Sequence, residues 1–177
     1  TYVNTLTLMT MIGLTQGMQP LVSFYYGKRE MGTGHKLLRY ALVTVAGCSL
    51  AAFALCQLFA APLVNIFINA EHIALSAYSV YALKVFAYSF LIMGFNVVIA
   101  GFFAAIERPM HSLAISLARG LLLVPVGLLI MVLCFGSDYL WLATTVSESL
   151  TLLVTFVLIF RYRAHYRLVQ KAAKKSQ

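Results

Sequence analysis

Two ionisable side chains, Arg119 and Glu148, lie deep inside long apolar stretches of this sequence. One charge at such depth in a bilayer costs at least about 2.5 kcal/mol, so each is expected to face the interior of a helix bundle. Their depths, at the helical rise per residue, differ by about 8 Å, most of which an arginine side chain can cover. We therefore predict that Arg119 and Glu148 pair directly, through water or through a polar neighbour. The pair is either purely structural or borders a hydrated path through the bundle.

Uncharged polar residues form stripes along two of these stretches. At 100° per residue, Gln16, Gln19 and Ser23 share one face of the first stretch, and Asn96 lies on a polar stripe of the third. Such residues either form interhelical hydrogen bonds worth about 1 kcal/mol each or line a water-filled cavity. Two neighbouring glutamines in a span that also contains a proline favour the cavity. The predicted cavity-lining residues are Gln16, Gln19, Ser23, Asn96, Arg119 and Glu148.

Small residues and prolines predict where these helices pack or bend. Gly13 and Gly17 form a small-xxx-small pair beside the polar stripe, which lets another helix approach closely. Proline lacks a backbone N–H, so Pro20 and Pro125 are predicted to bend the first and fourth stretches. On the third stretch, beside the polar stripe that contains Asn96, Gly94 and Gly101 form a smooth stripe suited to helix packing.

Enzyme chemistry is not expected from this sequence. Of the acidic residues only Glu148 is deep, and there is no Gly-rich phosphate loop, no HExxH motif and no Ser/His/Asp set at one depth. The three cysteines lie inside apolar stretches without a CxxC motif, which predicts neither a disulfide nor a metal site. We therefore expect no catalytic residue, no metal and no cofactor.

Composition predicts an all-α, polytopic transmembrane bundle. Hydrophobic residues make up 62% of the 177 residues and charged residues only 10%, and the mean hydropathy is +0.89. A bilayer core about 30 Å thick needs roughly 20 apolar residues per helix, and strands of a barrel would be shorter and would alternate. We predict a transmembrane domain over residues 1–162, followed by a basic tail over 163–177. Five spans are expected at about 2–26, 37–68, 78–106, 112–135 and 139–160.

The basic residues predict the orientation of the spans. The connection Gly27–Lys36 carries three basic residues, the next carries none, the third carries Arg108, the fourth none, and the tail carries the largest cluster. By the positive-inside rule, the C-terminus is cytoplasmic, in a multi-pass protein of the cell membrane. Because basic residues only flank apolar spans, anionic lipid is the expected partner and nucleic acid is not. The chain begins at Thr1 directly in a span, so we expect an N-terminal part to be missing.

Several motifs, taken in order, resemble the MATE (multidrug and toxic-compound extrusion) transporters. The segment GLTQGMQP at 13–20 is similar to the family's GxxQGxxP segment, and a small basic connection follows it. The remaining similarity covers nearly the whole chain and favours helices eight to twelve of the family, in its C-terminal half. It is carried by Gly94-Phe-Asn96, Phe102-Phe103, Glu107-Arg108-Pro109, Ser116-Leu-Ala-Arg119, Pro125, Phe135-Gly136, Trp141 and Ser147-Glu148-Ser-Leu-Thr151.

This resemblance implies part of one lobe of a 6+6 transporter, a secondary antiporter that exports bulky amphipathic, often cationic drugs and xenobiotics in exchange for H⁺ or Na⁺. It implies the absent N-terminal lobe as a partner, and a fragment that is inactive alone. In the sodium-coupled branch an Asp stands where this sequence has Gly94. No coupling-ion site is therefore expected in this part of the chain.

Two alternatives remain open. A lipid-linked oligosaccharide or polysaccharide flippase of the same superfamily would be expected to line its cavity with several Lys or Arg residues that hold pyrophosphate. Only Arg119 is available at depth, which favours drug export. A non-transporting membrane subunit would instead use the whole polar stripe of the first span in helix contacts.

Overall fold

The computed structural model describes residues 2–66, 73–136 and 140–175. These ranges form helices joined by short connections, and they contain no strand. The predicted all-α class is therefore confirmed for the described part of the chain.

The described residues contain eight α-helices and two short turns of other helix types. The α-helices are α1 Tyr2–Gly27, α2 Met31–Leu58, α3 Ala60–Asn65, α4 Ile73–Phe86, α5 Phe90–Ala105, α6 Pro109–Leu117, α7 Leu123–Phe135 and α8 Leu142–Lys175. A 3₁₀ turn, Ala87–Ser89, joins α4 to α5, and a π turn, Ala118–Leu122, joins α6 to α7.

Helix α5 forms the centre of the bundle, where it contacts α1, α2, α6 and α8. Its sequence is apolar on nearly every face, which is typical of a helix surrounded by other helices. Phe90, Phe102 and Phe103 are among the largest fully buried side chains of the protein. The outward faces of the surrounding helices carry large exposed apolar side chains, for example Leu58 and Leu133. This pattern fits a bundle whose surface faces lipid rather than water.

Four helical stretches of the described chain are long and apolar enough to cross a membrane: Met31–Leu58, Leu75–Ala105, Pro109–Cys134 and Leu142–Ala164. Helix α1 has 26 residues, which is sufficient length, but it does not belong to this set. Its asparagine, threonines and glutamines lower its hydropathy below that of the others. The number of five spans therefore stays a prediction.

Several predicted boundaries differ from the structure. The second stretch was expected to run to residue 68, but α2 ends at Leu58, where Phe59 leaves the helical conformation (φ −113°, ψ 22°). The fourth begins earlier than predicted, at Pro109, because proline suits the first turn of a helix. Helix α8 continues without a break to Lys175, so the described part of the predicted basic tail extends the last helix.

The helices α1 and α5 end in the same way, at the end of the bundle that carries the basic connections, which we call the basic end. Arg29 and Glu107 have left-handed backbones, with φ of 60° and 58°. The N–H of Glu30 donates to the carbonyl of Tyr25 at 2.9 Å, and the equivalent bond after α5 has the same length. This is the Schellman arrangement, which satisfies the last carbonyls of a helix. The left-handed residue reverses the chain, so α2 and α6 return antiparallel to α1 and α5.

Aromatic rings pack α2, α5, α6 and α8 together at the basic end. His35 lies 5.9 Å from Phe102 and 6.2 Å from Tyr162, ring centroid to ring centroid. Phe103 stacks on His111 at 5.1 Å and meets Tyr162 edge to face at 5.8 Å. Contacts of this kind contribute about 0.5–1.5 kcal/mol each beyond the apolar area they bury. They fix the depth at which α5, α6 and α8 present their polar residues to one another.

Candidate functional site

The polar centre of the bundle is the contact between α5 and α8. Asn96, on α5, is fully buried, and Glu148, on α8, is 5% exposed. The Asn96 side-chain N–H group donates to Glu148 Oε2 at 2.8 Å and to the Glu148 backbone carbonyl at 3.1 Å. Thr155, two turns further along α8, donates to Asn96 Oδ1 at 3.2 Å. Asn96 is thus satisfied on both sides of its amide, as a buried polar group must be in a membrane.

Arg119 completes this centre from the π turn. Its Nε lies 2.7 Å from Glu148 Oε1, in a geometry that is both a hydrogen bond and an ion pair. The prediction that Arg119 and Glu148 pair is confirmed, and the contact is direct. The exposed fractions of the two side chains differ, at 24% for Arg119 and 6% for Glu148. The carboxylate is therefore enclosed, while the guanidinium reaches the edge of the packed region.

The π turn explains how the sequence places Arg119 there. The N–H of Leu123 bonds to the carbonyl of Ala118, five residues earlier, instead of the usual four. Pro125 follows immediately, and its missing N–H and its ring both disturb the preceding turn of an α-helix. A wider turn absorbs this disturbance and rotates the residues before it. Such π turns frequently occur at functional sites. The bend at Pro125 stays a prediction, and the structure shows a local change of helix type before it that the sequence did not reveal.

A polar cleft of about 210 Å³ opens beside this centre, between α1, α5, α6 and the π turn. Of the six residues predicted to line a cavity, Gln19, Asn96 and Arg119 line this cleft, whereas Glu148 lies behind it and does not. The sequence prediction missed Ser112 and Ser116, which also line the cleft. A signal was present, because residues 112, 116 and 119 recur at the spacing of one helix face. The other lining residues are Thr15, Val97, Ala100, Gly101 and Ile115.

Two predicted cavity residues lie elsewhere. Gln16 is exposed on the outer surface of α1 and does not line the cleft. Ser23 lies nearer the basic end, where its hydroxyl donates to the Ala105 carbonyl at 3.0 Å. It therefore forms an interhelical hydrogen bond between α1 and α5. The polar stripe of α1 is therefore divided, with Gln19 at the cleft, Ser23 in a helix contact and Gln16 on the surface.

The glycines of α5, rather than those of α1, allow helices to approach closely. A Cβ added at Gly101 would collide with Thr15, and it would lie 3.1 Å from the Gln19 amide nitrogen. By contrast, Gly13 and Gly17 are exposed, and no described atom lies within 4 Å of a Cβ added at either. Gly13 and Gly17 therefore pack against none of the described helices, and their role in helix packing stays a prediction. Pro20 lies within α1, which stays one continuous helix.

Gly94 is closed to any side chain. A Cβ added there would lie 2.6 Å from Val45 and 2.9 Å from the Ser49 hydroxyl, both on α2. Together with Gly101 it confirms the smooth packing stripe predicted for this helix. The tight contact leaves no space for a carboxylate at this position without moving α2.

A second, larger cavity of about 490 Å³ lies at the opposite end from the basic connections. It is mainly apolar and is lined by α1, α3 and α4 together with Trp141, whose indole N–H donates to the Tyr78 hydroxyl at 2.9 Å. No charged side chain of the described residues lines it. It therefore offers mainly apolar volume, and its polar lining residues are uncharged, whereas the smaller cleft contains the charged side chain of Arg119.

Comparison with known protein families identifies the family of this chain. A family model described as MatE matches residues 1–129, well over half of the chain. The chain belongs to the MatE family. MatE proteins are membrane transporters, and together with the apolar helices this makes the chain part of a multi-pass membrane protein. The search of curated proteins and the search of solved structures each gave no match.

Proposed function

We propose that this MatE chain forms part of one lobe of a secondary antiporter that exports amphipathic drugs and xenobiotics in exchange for H⁺ or Na⁺. The observation that carries the proposal is a polar cleft lined by four helical elements at membrane depth, with an ion pair at its edge. Polar and ionisable groups at such depth are costly, and in membrane proteins they usually mark a substrate or ion pathway. Substrate sites of secondary transporters characteristically lie near the bilayer midplane between helices.

The proposal includes an arrangement in the membrane. Helix α1 also crosses the membrane, which brings the number of spans to five. The partner is the other lobe of a 6+6 architecture. The basic end faces the cytoplasmic side of the cell membrane. Both connections at the basic end, together with Arg161 and Arg163 near the end of the last span, carry positive charge on one side. This asymmetry supports a cytoplasmic C-terminus by the positive-inside rule.

Drug export is favoured over lipid-linked sugar flipping by the charge state of the cleft. A pyrophosphate group needs several unpaired Lys or Arg side chains. Among the described residues that line the cleft, Arg119 is the one basic residue, and Glu148 already occupies one of its N–H groups. A non-transporting subunit is disfavoured because Gln19, on the polar stripe of α1, faces the cleft without a described hydrogen-bond partner.

The coupling ion is proposed to bind outside this part of the protein. The position that matches the acidic residue of the sodium-coupled branch is Gly94, and α2 packs against it without space for a side chain. Glu148 has both carboxylate oxygens occupied by Arg119 and Asn96. Neither position therefore offers a free carboxylate for a cation.

Drug susceptibility of cells that express the intact protein tests this proposal. Cells lacking their own efflux pumps should tolerate higher concentrations of several amphipathic dyes, and should accumulate less dye, than cells with an empty vector. Collapsing the ion gradients should abolish the difference. No change across a panel of cationic and zwitterionic dyes would contradict drug export, and accumulation of undecorated lipid-linked sugars in a deletion strain would favour the flippase.

A further inference from the structure

The cleft presents hydrogen-bond donors that no described residue uses. Arg119 uses only Nε for Glu148, so its two terminal amino groups remain, and they have no acceptor among the described residues. A guanidinium carries five N–H donors and no acceptor, which leaves four of them without a described acceptor in a residue that lines the cleft. The amide of Gln19 and the hydroxyls of Ser112 and Ser116 line the same space without a described hydrogen bond.

The cleft presents no acidic group in return. None of its lining residues among the described chain is Asp or Glu. Glu148 is the nearest carboxylate, but Arg119 and Asn96 occupy its two oxygens at 2.7 Å and 2.8 Å. A substrate cation that entered this space would meet the guanidinium first. The cleft is therefore poorly suited to the positive group of a substrate and well suited to a group that accepts hydrogen bonds.

The volume of the cleft indicates which part of a molecule it can hold. Pockets for drug-sized ligands usually measure about 300–1,000 Å³, whereas this cleft measures about 210 Å³. It can hold a carboxylate or carbonyl group and the edge of one ring, with the rest of the molecule outside. Val97, Ala100 and Ile115 supply an apolar wall for such a ring. Arginine pairs favourably with a carboxylate because its terminal amino groups can form two parallel hydrogen bonds.

Building on the function proposed above, we propose that this cleft is an acceptor subsite, which binds the carboxylate group of a zwitterionic amphipathic substrate. Arg119 supplies charge-assisted hydrogen bonds, and Gln19 with the two serines supplies neutral ones. The lobe then distinguishes molecules by their acceptor group, so a zwitterion is preferred over a cation with the same aromatic skeleton.

A matched pair of dyes tests this proposal directly. Tetramethylrhodamine with a free carboxylate and its ethyl ester share one ring system and differ in the acceptor. Binding of each dye to the purified intact protein in detergent is measured by fluorescence polarisation, and uptake into proteoliposomes is measured in parallel against protein-free vesicles. Wild-type protein is expected to bind the free acid about tenfold more tightly than the ester, the effect of one hydrogen bond to a charged group.

The first two variants leave the ion pair between Arg119 and Glu148 intact. Gln19→Leu, and the pair Ser112→Ala with Ser116→Ala, should each lower the acid-to-ester affinity ratio while ester binding is retained. Gln16→Leu is the matched control, because it makes the same change on the same helix outside the cleft, and it should keep the wild-type ratio. The double variant Arg119→Gln with Glu148→Gln removes the charged donor without leaving a buried carboxylate unpaired, and it should also lose the preference.

The outcomes separate this inference from the proposed function. Equal binding of acid and ester by the wild-type protein, or a preference that survives Gln19→Leu, the serine pair and the neutral double variant, would overturn the subsite. Preferential binding that depends on these residues but is accompanied by no uptake of either dye would support the subsite and contradict the transport function.

Discussion

The Nε atom of Arg119 lies 2.7 Å from Oε1 of Glu148, between a π turn and the helix that returns beside it. The contact joins two charged residues that both lie deep in apolar stretches, and it spans 29 residues of chain. Because Asn96 holds the other carboxylate oxygen, the three side chains connect α5, α8 and the π turn in one network.

Removing one partner of this ion pair should destabilise the protein more than removing both. Arg119→Met leaves the buried Glu148 carboxylate uncompensated, which should cost about 3–5 kcal/mol. Arg119→Met combined with Glu148→Gln restores neutrality and should cost clearly less than the sum of the two single changes. Thermal unfolding of the intact protein in detergent measures all three variants. Additive losses would show that the two side chains do not interact.

Moving the negative charge from α8 to α5 should be tolerated only as a swap. Asn96→Asp places a second carboxylate at the position from which an amide now donates to Glu148. The free energy of unfolding should therefore fall by about 3–5 kcal/mol, the cost of an uncompensated buried charge. Adding Glu148→Gln returns one carboxylate and one amide to the network and should recover most of the loss.

Asn65→Asp is the control for this swap, because it makes the same change at an exposed residue of α3. It should change stability by less than about 0.5 kcal/mol, as surface substitutions usually do. A Glu148→Gln change that fails to rescue Asn96→Asp would contradict the hydrogen bonds assigned to Asn96.

Adding one methyl group to α5 should separate it from α1. Gly101→Ala puts a Cβ into the Thr15 side chain, and overpacking of this kind costs about 1–3 kcal/mol. Gly17→Ala is the matched control, because its Cβ would meet no described atom, and alanine is the better helix former by up to about 1 kcal/mol. Melting temperatures of the two variants in detergent should therefore shift in opposite directions. Equal losses would show that another part of the protein covers Gly17.

Water should reach Gln19 but not its buried neighbour on α1. With Cys48, Cys56 and Cys134 replaced by serine or alanine, Gln19→Cys in the intact protein should react with a small aqueous thiol reagent. Val22→Cys, at a position that is fully buried, should stay unmodified. Mass spectrometry of the labelled protein measures both. An unreactive Gln19→Cys would favour a dry helix contact over a hydrated cleft.

The sequence predicted those parts of the structure that depend on the free energy of placing a charge in lipid and on the spacing of residues along a helix. The pairing of Arg119 with Glu148 followed from the free energy of placing a charge in lipid, and the α5 glycine stripe followed from helical spacing. The glycine stripe is a property of one helix, and the ion pair is a property of two helices joined by a connection of few residues. The family resemblance followed from the order of several short motifs and is confirmed by the match over residues 1–129.

Other features depend on information that no single helix contains. The glycines of α1 resembled a packing motif, but which face of α1 meets α5 is decided by the fit of Thr15 against Gly101. Asn96 was predicted as a cavity residue, but its role as a ligand of Glu148 required the relative depth of α5 and α8. The π turn arises from the conflict between Pro125 and the preceding helix. That conflict is visible in the sequence, but its outcome is not.

Transport by the purified intact protein tests the central claim most directly. Proteoliposomes with an imposed proton gradient, and separately with a sodium gradient, are supplied with a fluorescent amphipathic dye on the side that corresponds to the cytoplasm. The account predicts accumulation of dye against its concentration gradient under at least one of the two ion gradients, and loss of accumulation when that gradient is collapsed. Dye uptake no greater than in protein-free vesicles under both gradients would contradict it.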